Sequence, residues 1–169
     1  MLSCSRRIIV AGGAVACALA TWTNVLSSPA LADNAVPFKD ILGRWTGEGR
    51  LGVRNGSNET VKCRVTYAAP DQPDQLQQSI RCASSSGSIE VKSTIKHENG
   101  ALKGTWSELL HNMNGELNGT VNPNGFRVYV RGADLSASMD IIVKGTRQII
   151  EIQFQNSSLI GLTLVLNKG

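Results

Sequence analysis

The sequence has 169 residues, of which 41% are hydrophobic and 5% aromatic, and its formal net charge at pH 7 is +4. This length suits one domain, and so small a charge gives no reason to expect a nucleic-acid partner. The scarcity of aromatic residues argues against a membrane β-barrel, which carries aromatic girdles at both interfaces.

The first 32 residues have the pattern of a secretory signal peptide. Arg6-Arg7 form a positive segment, residues 8–20 an apolar segment, and Ala30-Leu31-Ala32 a small-x-small cleavage site. The apolar segment alone is short for a membrane span, which needs about 20 residues. We therefore predict a signal peptide over 1–32 and a single folded domain over 33–169. The signal holds two of the 17 basic residues and none of the 13 acids, so the exported chain has a charge of +2.

The same segment leaves other routes open. Residues 5–9 (SRRII) resemble a twin-arginine signal. Residues 14–17 (AVAC) resemble a lipoprotein box, which would make Cys17 an acylated N-terminus. The stretch 8–32 carries no charge, so an uncleaved anchor is a third alternative. We expect a periplasmic or secreted bacterial protein, with lipid anchoring through Cys17 as the minor alternative.

After a short lead-in over residues 37–42, apolar and polar residues alternate nearly to the end of the chain. One apolar and one wet face with a period of two is what an antiparallel sheet requires. Five runs place their apolar residues on one parity: Trp45, Leu51 and Val53; Ile89, Val91 and Ile95; Phe126, Val128 and Val130; Met139, Ile141 and Val143; Ile150, Ile152 and Phe154. Residues 159–166 are apolar on both parities, which predicts that this last segment is covered on both faces.

Turn signals separate these runs, and several are Asn-Gly pairs. Asn-Gly suits tight hairpins because both residues tolerate positive φ. Residues 99–105 (NGALKGT) recur as 114–120 (NGELNGT), one hairpin step along the chain. Interior glycines suit the bends at which a sheet curls into a barrel. We predict that 33–169 form an all-β, up-and-down antiparallel barrel of about 8–10 strands, closed so that no strand edge is exposed.

Cys63 and Cys82 are the two cysteines outside the signal, at mirror positions about Gln72-Pro73. Counting outward from that turn also pairs Val65 with Ile80. This is the register of an antiparallel hairpin, in which opposed side chains lie within bridging distance. Because an export compartment is oxidising, we predict a structural inter-strand disulfide. In the chain-entropy model it stabilises the fold by roughly 3 kcal/mol.

Four large side chains are candidates for lining a ligand cavity, and core filling is the other interpretation of the same residues. Small barrels of eight or more strands do both. The four are Trp45, Trp106, Phe126 and Phe154.

No constellation predicts catalysis, a metal or a cofactor. The sequence lacks Gly-x-Ser-x-Gly, and its acidic residues are scattered mostly on the wet parity beside Lys or Arg. His97 and His111 are far apart and have no third ligand at zinc spacing. We therefore predict no catalytic residue and two surface histidines.

Outward-facing cations predict an ordinary solvated face, with contact to an anionic lipid as the alternative. These cations are Arg44, Arg50, Arg54, Lys62 and Arg64. Arg64 and Arg81 fall opposite one another in the proposed hairpin. Such a like-charge pair costs stability unless an acid or an anion lies between them.

Gly43-Arg44-Trp45, at the start of the first strand, resembles the Gly-x-Trp signature of lipocalins and related calycin barrels. In that family the Trp plugs the closed end of the barrel, and an Arg late in the chain often packs over it. The resemblance therefore implies that Trp45 is a plug, with Arg131 or Arg147 as the covering cation. It also implies a lipocalin-like barrel whose apolar interior or mouth holds a small ligand.

The chain also resembles two kinds of exported protein. Segments such as 41–47 (ILGRWTG) and 60–67 (TVKCRVTY) are similar to those of small exported bacterial proteins of unassigned function. A second resemblance is to periplasmic inhibitors of secreted bacterial metalloproteases, which are small barrels with an early Gly-x-Trp and one disulfide between neighbouring strands. Those inhibitors use an extended N-terminal trunk, which here would be residues 33–37.

The sequence thus predicts an exported, non-enzymatic β-barrel of the bacterial envelope that binds a small apolar ligand. The alternatives are a protein-binding module, such as a protease inhibitor acting through its N-terminal arm or an open strand edge, and an envelope structural protein. A carrier would lose its ligand when Trp106 or Phe126 becomes polar and would tolerate loss of residues 33–40. An inhibitor would show the reverse.

Overall fold

The computed structural model describes residues 37–54, 56 and 58–169. The predicted signal peptide over 1–32, the alternative acylation site Cys17 and the arm residues 33–36 lie outside the described residues. Among the described residues, no helix combines the length and apolar character needed to cross a membrane.

Ten antiparallel strands make up the described fold. They are β1 (Gly43–Val53), β2 (Glu59–Ala68), β3 (Gln75–Ala83), β4 (Ser88–Glu98), β5 (Ala101–Glu108), β6 (Met113–Asn122), β7 (Gly125–Gly132), β8 (Ser136–Lys144), β9 (Arg147–Gln155) and β10 (Leu159–Lys168). Each strand pairs with the next in the chain, and β1 pairs with β10 to close the barrel. The predicted all-β, up-and-down antiparallel barrel is confirmed, at the upper end of the predicted strand number. Every described strand therefore has two neighbours.

Burial alternates along the strands because successive side chains point to opposite faces of a sheet. On β2 the inward-facing residues are buried, and the residues between them are exposed: Val61, Cys63, Val65 and Tyr67 face inward, and Lys62, Arg64 and Thr66 face outward. The other strands repeat this pattern with small local changes. The barrel interior is therefore the hydrophobic core that the alternation predicts.

The β2–β3 hairpin has the predicted register, with Cys63 directly opposite Cys82. The two sulfur atoms are bonded at 2.07 Å, and the two Cα atoms lie 4.2 Å apart. Both cysteines face the interior and are buried. The predicted disulfide is confirmed, and it joins two neighbouring strands on their core side.

Two inward-facing glycines of β1 allow the barrel to close. A Cβ atom on Gly47 would collide with the backbone carbonyl of Val165, and one on Gly49 with that of Thr163. Both carbonyls belong to β10. Since no side chain fits between the two backbones at these positions, glycine is required for β1 to pair with β10 in this geometry.

A turn that precedes β1 plugs one end of the barrel. Phe38 is 1% exposed, and its ring centroid lies 5.9 Å from that of Phe126. Trp45 is fully buried beneath this turn, and its indole Nε1 donates a hydrogen bond to the Ile41 carbonyl at 2.6 Å. The plug is thus made of apolar side chains and secured by one buried hydrogen bond.

The cation over Trp45 is Lys168, the last residue of β10, and not Arg131 or Arg147. Its Nζ lies 5.3 Å from the Trp45 ring centroid and donates to the Asp40 carbonyl at 3.1 Å. Lys168 takes this place because Trp45 and Lys168 are register partners on β1 and β10. The plug role implied for Trp45 agrees with its position, whereas the two candidate arginines were the wrong cations.

The prediction that the last segment is covered on both faces is wrong for the outer face. Leu162, Leu164 and Leu166 point inward and are buried. On the outer side, Val165 is only half-buried, and Ile160 is 55% exposed. The second apolar parity of β10 therefore does not mark a buried outer layer.

Candidate functional site

The two ends of the barrel differ in how well their apolar side chains are covered. The plugged end carries the turn at residues 37–41 and the β2–β3, β4–β5, β6–β7 and β8–β9 connections. The opposite end carries the β1–β2, β3–β4, β5–β6, β7–β8 and β9–β10 connections, and we call it the mouth. Large side chains that are almost wholly buried, such as Phe38, Trp45 and Leu166, lie at the plugged end.

At the mouth, nine apolar residues pack against the core but remain half-buried. They are Leu51, Ile80, Val91, Met113, Val130, Leu135, Met139, Ile152 and Phe154. In this architecture the open end of the barrel is the usual position for a small ligand. The mouth is therefore the candidate binding site.

The structure separates the four predicted cavity residues into two pairs. Trp45 and Phe126 are buried at the plugged end, where they contact the turn that closes the barrel. Trp106 and Phe154 lie in the mouth half, Trp106 almost buried and Phe154 half-exposed. The first pair occupies the core, and only the second pair is placed to meet a ligand.

Trp106 lies against the inner wall of the barrel. Its register partner on β6 is Gly115, whose own partner on β7 is Gly132. A Cβ atom on Gly132 would come within 2.9 Å of Trp106 Cζ2, so the indole extends across β6 to reach β7. On the other side of Trp106, the directly opposed residue is Ser93 of β4, which is 7% exposed.

The indole N–H of Trp106 has no hydrogen-bond partner. Trp106 is 6% exposed, and Nε1 is the one buried side-chain nitrogen or oxygen among the described residues that lacks a partner. The other inward-facing indole, Trp45, does have an acceptor. Since buried donors are nearly always paired in folded proteins, Trp106 is the unusual residue of this interior.

Glu108, two residues further along β5, is a buried carboxylate held by its own loop. It accepts hydrogen bonds from the backbone N–H groups of Glu90 at 2.9 Å, Leu110 at 3.2 Å and His111 at 2.6 Å. The His111 ring Nδ1 lies 2.9 Å from the same carboxylate. Burial, the largest single influence, raises the pKa of Glu108, but these donors together outweigh it and hold the pKa below its ordinary value. The β5–β6 loop is therefore organised around an ionised side chain.

Charged residues are sparse at the inward-facing positions of the strands. Lys168 has the inward parity of β10 and lies over Trp45 at the plugged end, and Glu59 and Glu108 have the inward parity of β2 and β5 at the mouth. The mouth is thus mainly apolar, with two acidic residues at its margin.

A second polar cluster lies deep in the plugged half. The Gln148 side-chain amide donates to the Tyr67 hydroxyl at 3.1 Å, and Gln148 is fully buried. Burial raises the pKa of Tyr67 to about 12, although hydrogen bonds with Gln148 and Gln78 partly lower it. The cluster is a neutral, satisfied part of the core.

The two histidines take local roles in turns. His97 Nε2 accepts a hydrogen bond from the Gly100 N–H at 3.0 Å, and His111 bonds Glu108. No group of three or more His, Cys, Asp or Glu side chains suited to a metal ion occurs among the described residues. His97 lies beside the β4–β5 connection at the plugged end and His111 in the β5–β6 connection at the mouth, so the two histidines are at opposite ends of the barrel.

On the outer face, Arg64 and Arg81 are register partners, as predicted. Arg81 donates to Glu90 on β4 at 2.9 Å, so an acid does lie beside the pair, on the far side from Arg64. Between the outward rows of β1 to β4 runs a shallow groove of about 640 Å³. Its charged lining residues are mixed in sign: Glu48, Lys62, Arg64, Arg81 and Glu90.

Comparison with solved structures supports the fold. The crystal structure of Rv2717c from M. tuberculosis is similar with a TM-score of 0.65 and 13% sequence identity, over 79% of this chain and 97% of that chain. The S-type phycobiliprotein lyase CPES from Guillardia theta is similar with a TM-score of 0.55 and 14% identity, over 78% and 90%. Both are lipocalin-like barrels, so the chain has a lipocalin-like fold. No protein-family model and no curated protein matches the chain.

Sequence reasoning missed Glu108 and the lack of a partner for Trp106. Glu108 carried a usable signal, because it shares the inward parity of Leu102 and Trp106 and precedes a turn. A charged residue that falls at an apolar position at the end of a strand often accepts hydrogen bonds from the backbone of the following loop. The unpaired state of Trp106 Nε1 had no sequence signal, because it depends on which acceptors the folded wall brings near.

Proposed function

We propose that the protein is a non-enzymatic binding protein of the bacterial envelope that holds a small apolar ligand in the mouth of its barrel. The observation that supports this most is the contrast between the two ends. Of the half-buried apolar residues that pack against the core, nine lie at the mouth and three at the plugged end (Leu42, Val121 and Val143), where Phe38 and Trp45 are buried. A core that served stability alone would gain free energy by covering both ends.

The location follows from the signal pattern over 1–32 and is part of the proposal. The disulfide supports it, since such bonds persist in oxidising compartments such as the periplasm. Cleavage after Ala32 releases the barrel into that compartment, and acylation of Cys17 would instead tether it to a membrane.

Two modes of protein binding were considered, a free strand edge and an N-terminal arm, and only the arm keeps support. All ten described strands are paired on both sides, so addition of a partner strand to a free edge has no support. Inhibition through an N-terminal arm would depend on residues 33–37, of which 33–36 lie outside the described residues. Deletion of 33–40 is not a clean test of that arm, because Phe38 and the turn around it close the barrel.

The proposal is tested with a neutral apolar dye, N-phenyl-1-naphthylamine, whose fluorescence rises in an apolar site. The informative variant is Phe154→Gln, which makes the mouth polar. The control is Tyr129→Gln, which changes an aromatic residue that is 49% exposed on the outer face of β7. Loss of an apolar contact of this size weakens binding by roughly 10-fold or more.

We expect wild type and Tyr129→Gln to bind the dye equally and Phe154→Gln to bind it weakly. Absence of dye binding by the wild type, or equal loss in both variants, would contradict a ligand site in the mouth. Removal of residues 33–36 should leave dye binding unchanged.

A further inference from the structure

We propose that the outer face of β1 to β3, together with the adjoining β5–β6 loop, binds the surface of an anionic phospholipid membrane. The inference goes beyond the proposed function and does not depend on it. Two features support it: basic residues are concentrated on this face, and exposed leucines lie beside them. Basic side chains attract anionic headgroups, and exposed apolar side chains enter the headgroup region.

Positive charge is concentrated on the outer face of the first three strands. The outward positions of β1 to β3 hold five basic residues and one acid, Glu48, so their net charge is +4. The exported chain as a whole carries +2, so the remainder of it carries −2. Such a face is attracted to an anionic surface although the whole protein is nearly neutral. The five basic residues, all exposed, are Arg44, Arg50, Lys62, Arg64 and Arg81.

Two of the three cations that line the groove on this face have no acidic partner among the described residues. Arg64 and Arg81 are opposed in the register of β2 and β3, which is unfavourable unless an anion approaches both. Arg81 pairs with Glu90 on its other side. Lys62 lies two residues from Arg64 on the same face, and no described acid forms an ion pair with either. An anionic headgroup would supply the missing negative charge.

Large apolar side chains are exposed beside these cations. Leu110 is 55% exposed and lines the same groove. Leu109 is 47% exposed, and Ile89, another lining residue of the groove, is 38% exposed. Apolar side chains that remain in water forgo the free energy of burial, and a cluster of them marks an interaction surface. Next to unpaired cations, such a cluster fits the boundary between headgroups and acyl chains.

The β5–β6 loop holds the two leucines in place through its backbone. The Leu109 N–H donates to the Glu90 carbonyl at 2.8 Å, and the Leu110 N–H donates to the buried Glu108 carboxylate at 3.2 Å. Neither bond uses a leucine side chain, so both side chains remain available for contact. Because the loop is already ordered, binding does not have to pay for ordering it.

A surface of many headgroups fits this face better than a single anion or an added protein strand does. The groove is shallow, and its cations are exposed rather than buried around one point. Arg44 and Arg50 lie at opposite ends of β1, about 20 Å apart. All ten described strands are paired on both sides, so this face offers side chains and not a strand edge.

The test measures sedimentation of the protein with vesicles of phosphatidylcholine and with vesicles of an equimolar mixture of phosphatidylcholine and phosphatidylglycerol. The protein is purified after export of the full chain, and its intact mass verifies that all samples have the same N-terminus. The charge variant is Lys62→Gln, Arg64→Gln. Its matched control is Lys144→Gln, Arg147→Gln, which removes two exposed cations that are register partners on β8 and β9.

A second pair of variants tests the apolar contact. Leu110→Gln is compared with Ile160→Gln, because both side chains are 55% exposed and Ile160 does not line the groove. All of these substitutions replace exposed side chains, and a thermal melt verifies that each variant folds.

We expect wild type to bind the mixed vesicles more tightly than phosphatidylcholine alone, and to dissociate as ionic strength rises, since salt screens exposed charges. Each Lys or Arg near an anionic membrane strengthens binding roughly 5-fold, so Lys62→Gln, Arg64→Gln should weaken it roughly 25-fold. Leu110→Gln should weaken it roughly 5-fold. The two control variants should bind nearly as well as wild type.

Three results would overturn the proposal: no vesicle binding by wild type, equal binding to both kinds of vesicle, or equal losses in the two charge variants. Displacement by inorganic phosphate at constant ionic strength would also overturn it and would indicate a site for a single anion. Equal effects of Leu110→Gln and Ile160→Gln would overturn the part assigned to the β5–β6 loop.

Discussion

Glu108 shows how one side chain can organise a loop of this barrel. Its carboxylate accepts hydrogen bonds from the backbone N–H of Glu90 on β4 and from those of Leu110 and His111 in the β5–β6 connection, and it contacts the His111 ring. The pKa of Glu108 is lower in the folded protein than the ordinary value of 4.5. A depressed folded pKa stabilises the fold above the unfolded pKa, and this contribution is lost as pH falls through the folded pKa.

We predict that Glu108→Gln destabilises the protein by about 1–3 kcal/mol at pH 7, since charged acceptors make the stronger hydrogen bonds. The difference from wild type should shrink as the pH falls through the depressed folded pKa of Glu108, where the wild-type carboxyl becomes protonated. Urea unfolding at several pH values measures both effects. Glu116→Gln, an exposed acid on the neighbouring strand β6, should have little effect; equal losses in the two variants would refute the role of Glu108.

At the residue scale, the sequence predicts which residues are opposed within a hairpin better than it predicts which side chains from distant strands contact a given residue. The opposition of Cys63 and Cys82 follows from counting along the chain, because a hairpin register is local. The cation over Trp45 does not follow in this way. Lys168 reaches Trp45 through the closing pair of β1 with β10, and the two residues are at opposite ends of the sequence.

At the scale of elements, the disulfide constrains one hairpin in a fold whose other strand pairs are held without covalent links among the described residues. The bond joins β2 and β3 on their buried side, beside Val61 and Val65. Most of its expected stabilisation comes from restricting the unfolded chain, and in that model it amounts to roughly 3 kcal/mol.

We therefore predict that the double variant Cys63→Ser, Cys82→Ser keeps the barrel but unfolds at lower denaturant concentration. Circular dichroism should show an unchanged β signal, and urea unfolding should show a loss of roughly 3 kcal/mol. Reduction of the wild-type protein should reproduce the loss and should not affect the variant. Full stability in both cases would mean that the bond contributes nothing to the fold.

The elements themselves were largely predictable, but the difference between the two ends was not. Alternation and Asn-Gly turns reveal which residues face inward. Whether an inward residue is fully or half-buried depends on its height in a sheared barrel and on the plug above it. Phe126 and Phe154 have the same inward parity, yet Phe126 is covered by Phe38 and Phe154 stays half-exposed at the mouth.

At the scale of the whole molecule, the barrel depends on one non-local strand pair. Nine of the ten pairings join consecutive strands, and the tenth joins β1 to β10. Local turn signals account for the nine. At the closing pair, Gly47 and Gly49 leave β1 without inward side chains where the backbone of β10 approaches, as Gly104, Gly115 and Gly119 do within consecutive pairs. The two glycines are visible in the sequence, but the strand they face becomes known only in the closed fold.

We predict that Gly49→Ala weakens the closing pair selectively. Its Cβ would collide with the backbone of Thr163 and Leu164, and backbone that is itself hydrogen-bonded has little freedom to move. The expected cost is several kcal/mol, as for other overpacked sites where the neighbour is fixed. Amide hydrogen exchange should show loss of protection concentrated in β1 and β10, with β3 to β7 affected less.

Gly52→Ala on the same strand is the control, because the nearest atom to its added Cβ is the Ile160 Cβ at 3.5 Å, an ordinary contact. This variant should retain both stability and protection. If the two substitutions had the same effect, the cost would come from alanine in β1 in general and not from the approach of β10. If Gly49→Ala instead lost protection evenly around the barrel, closure would be inseparable from folding, and the ten strands would form one cooperative unit.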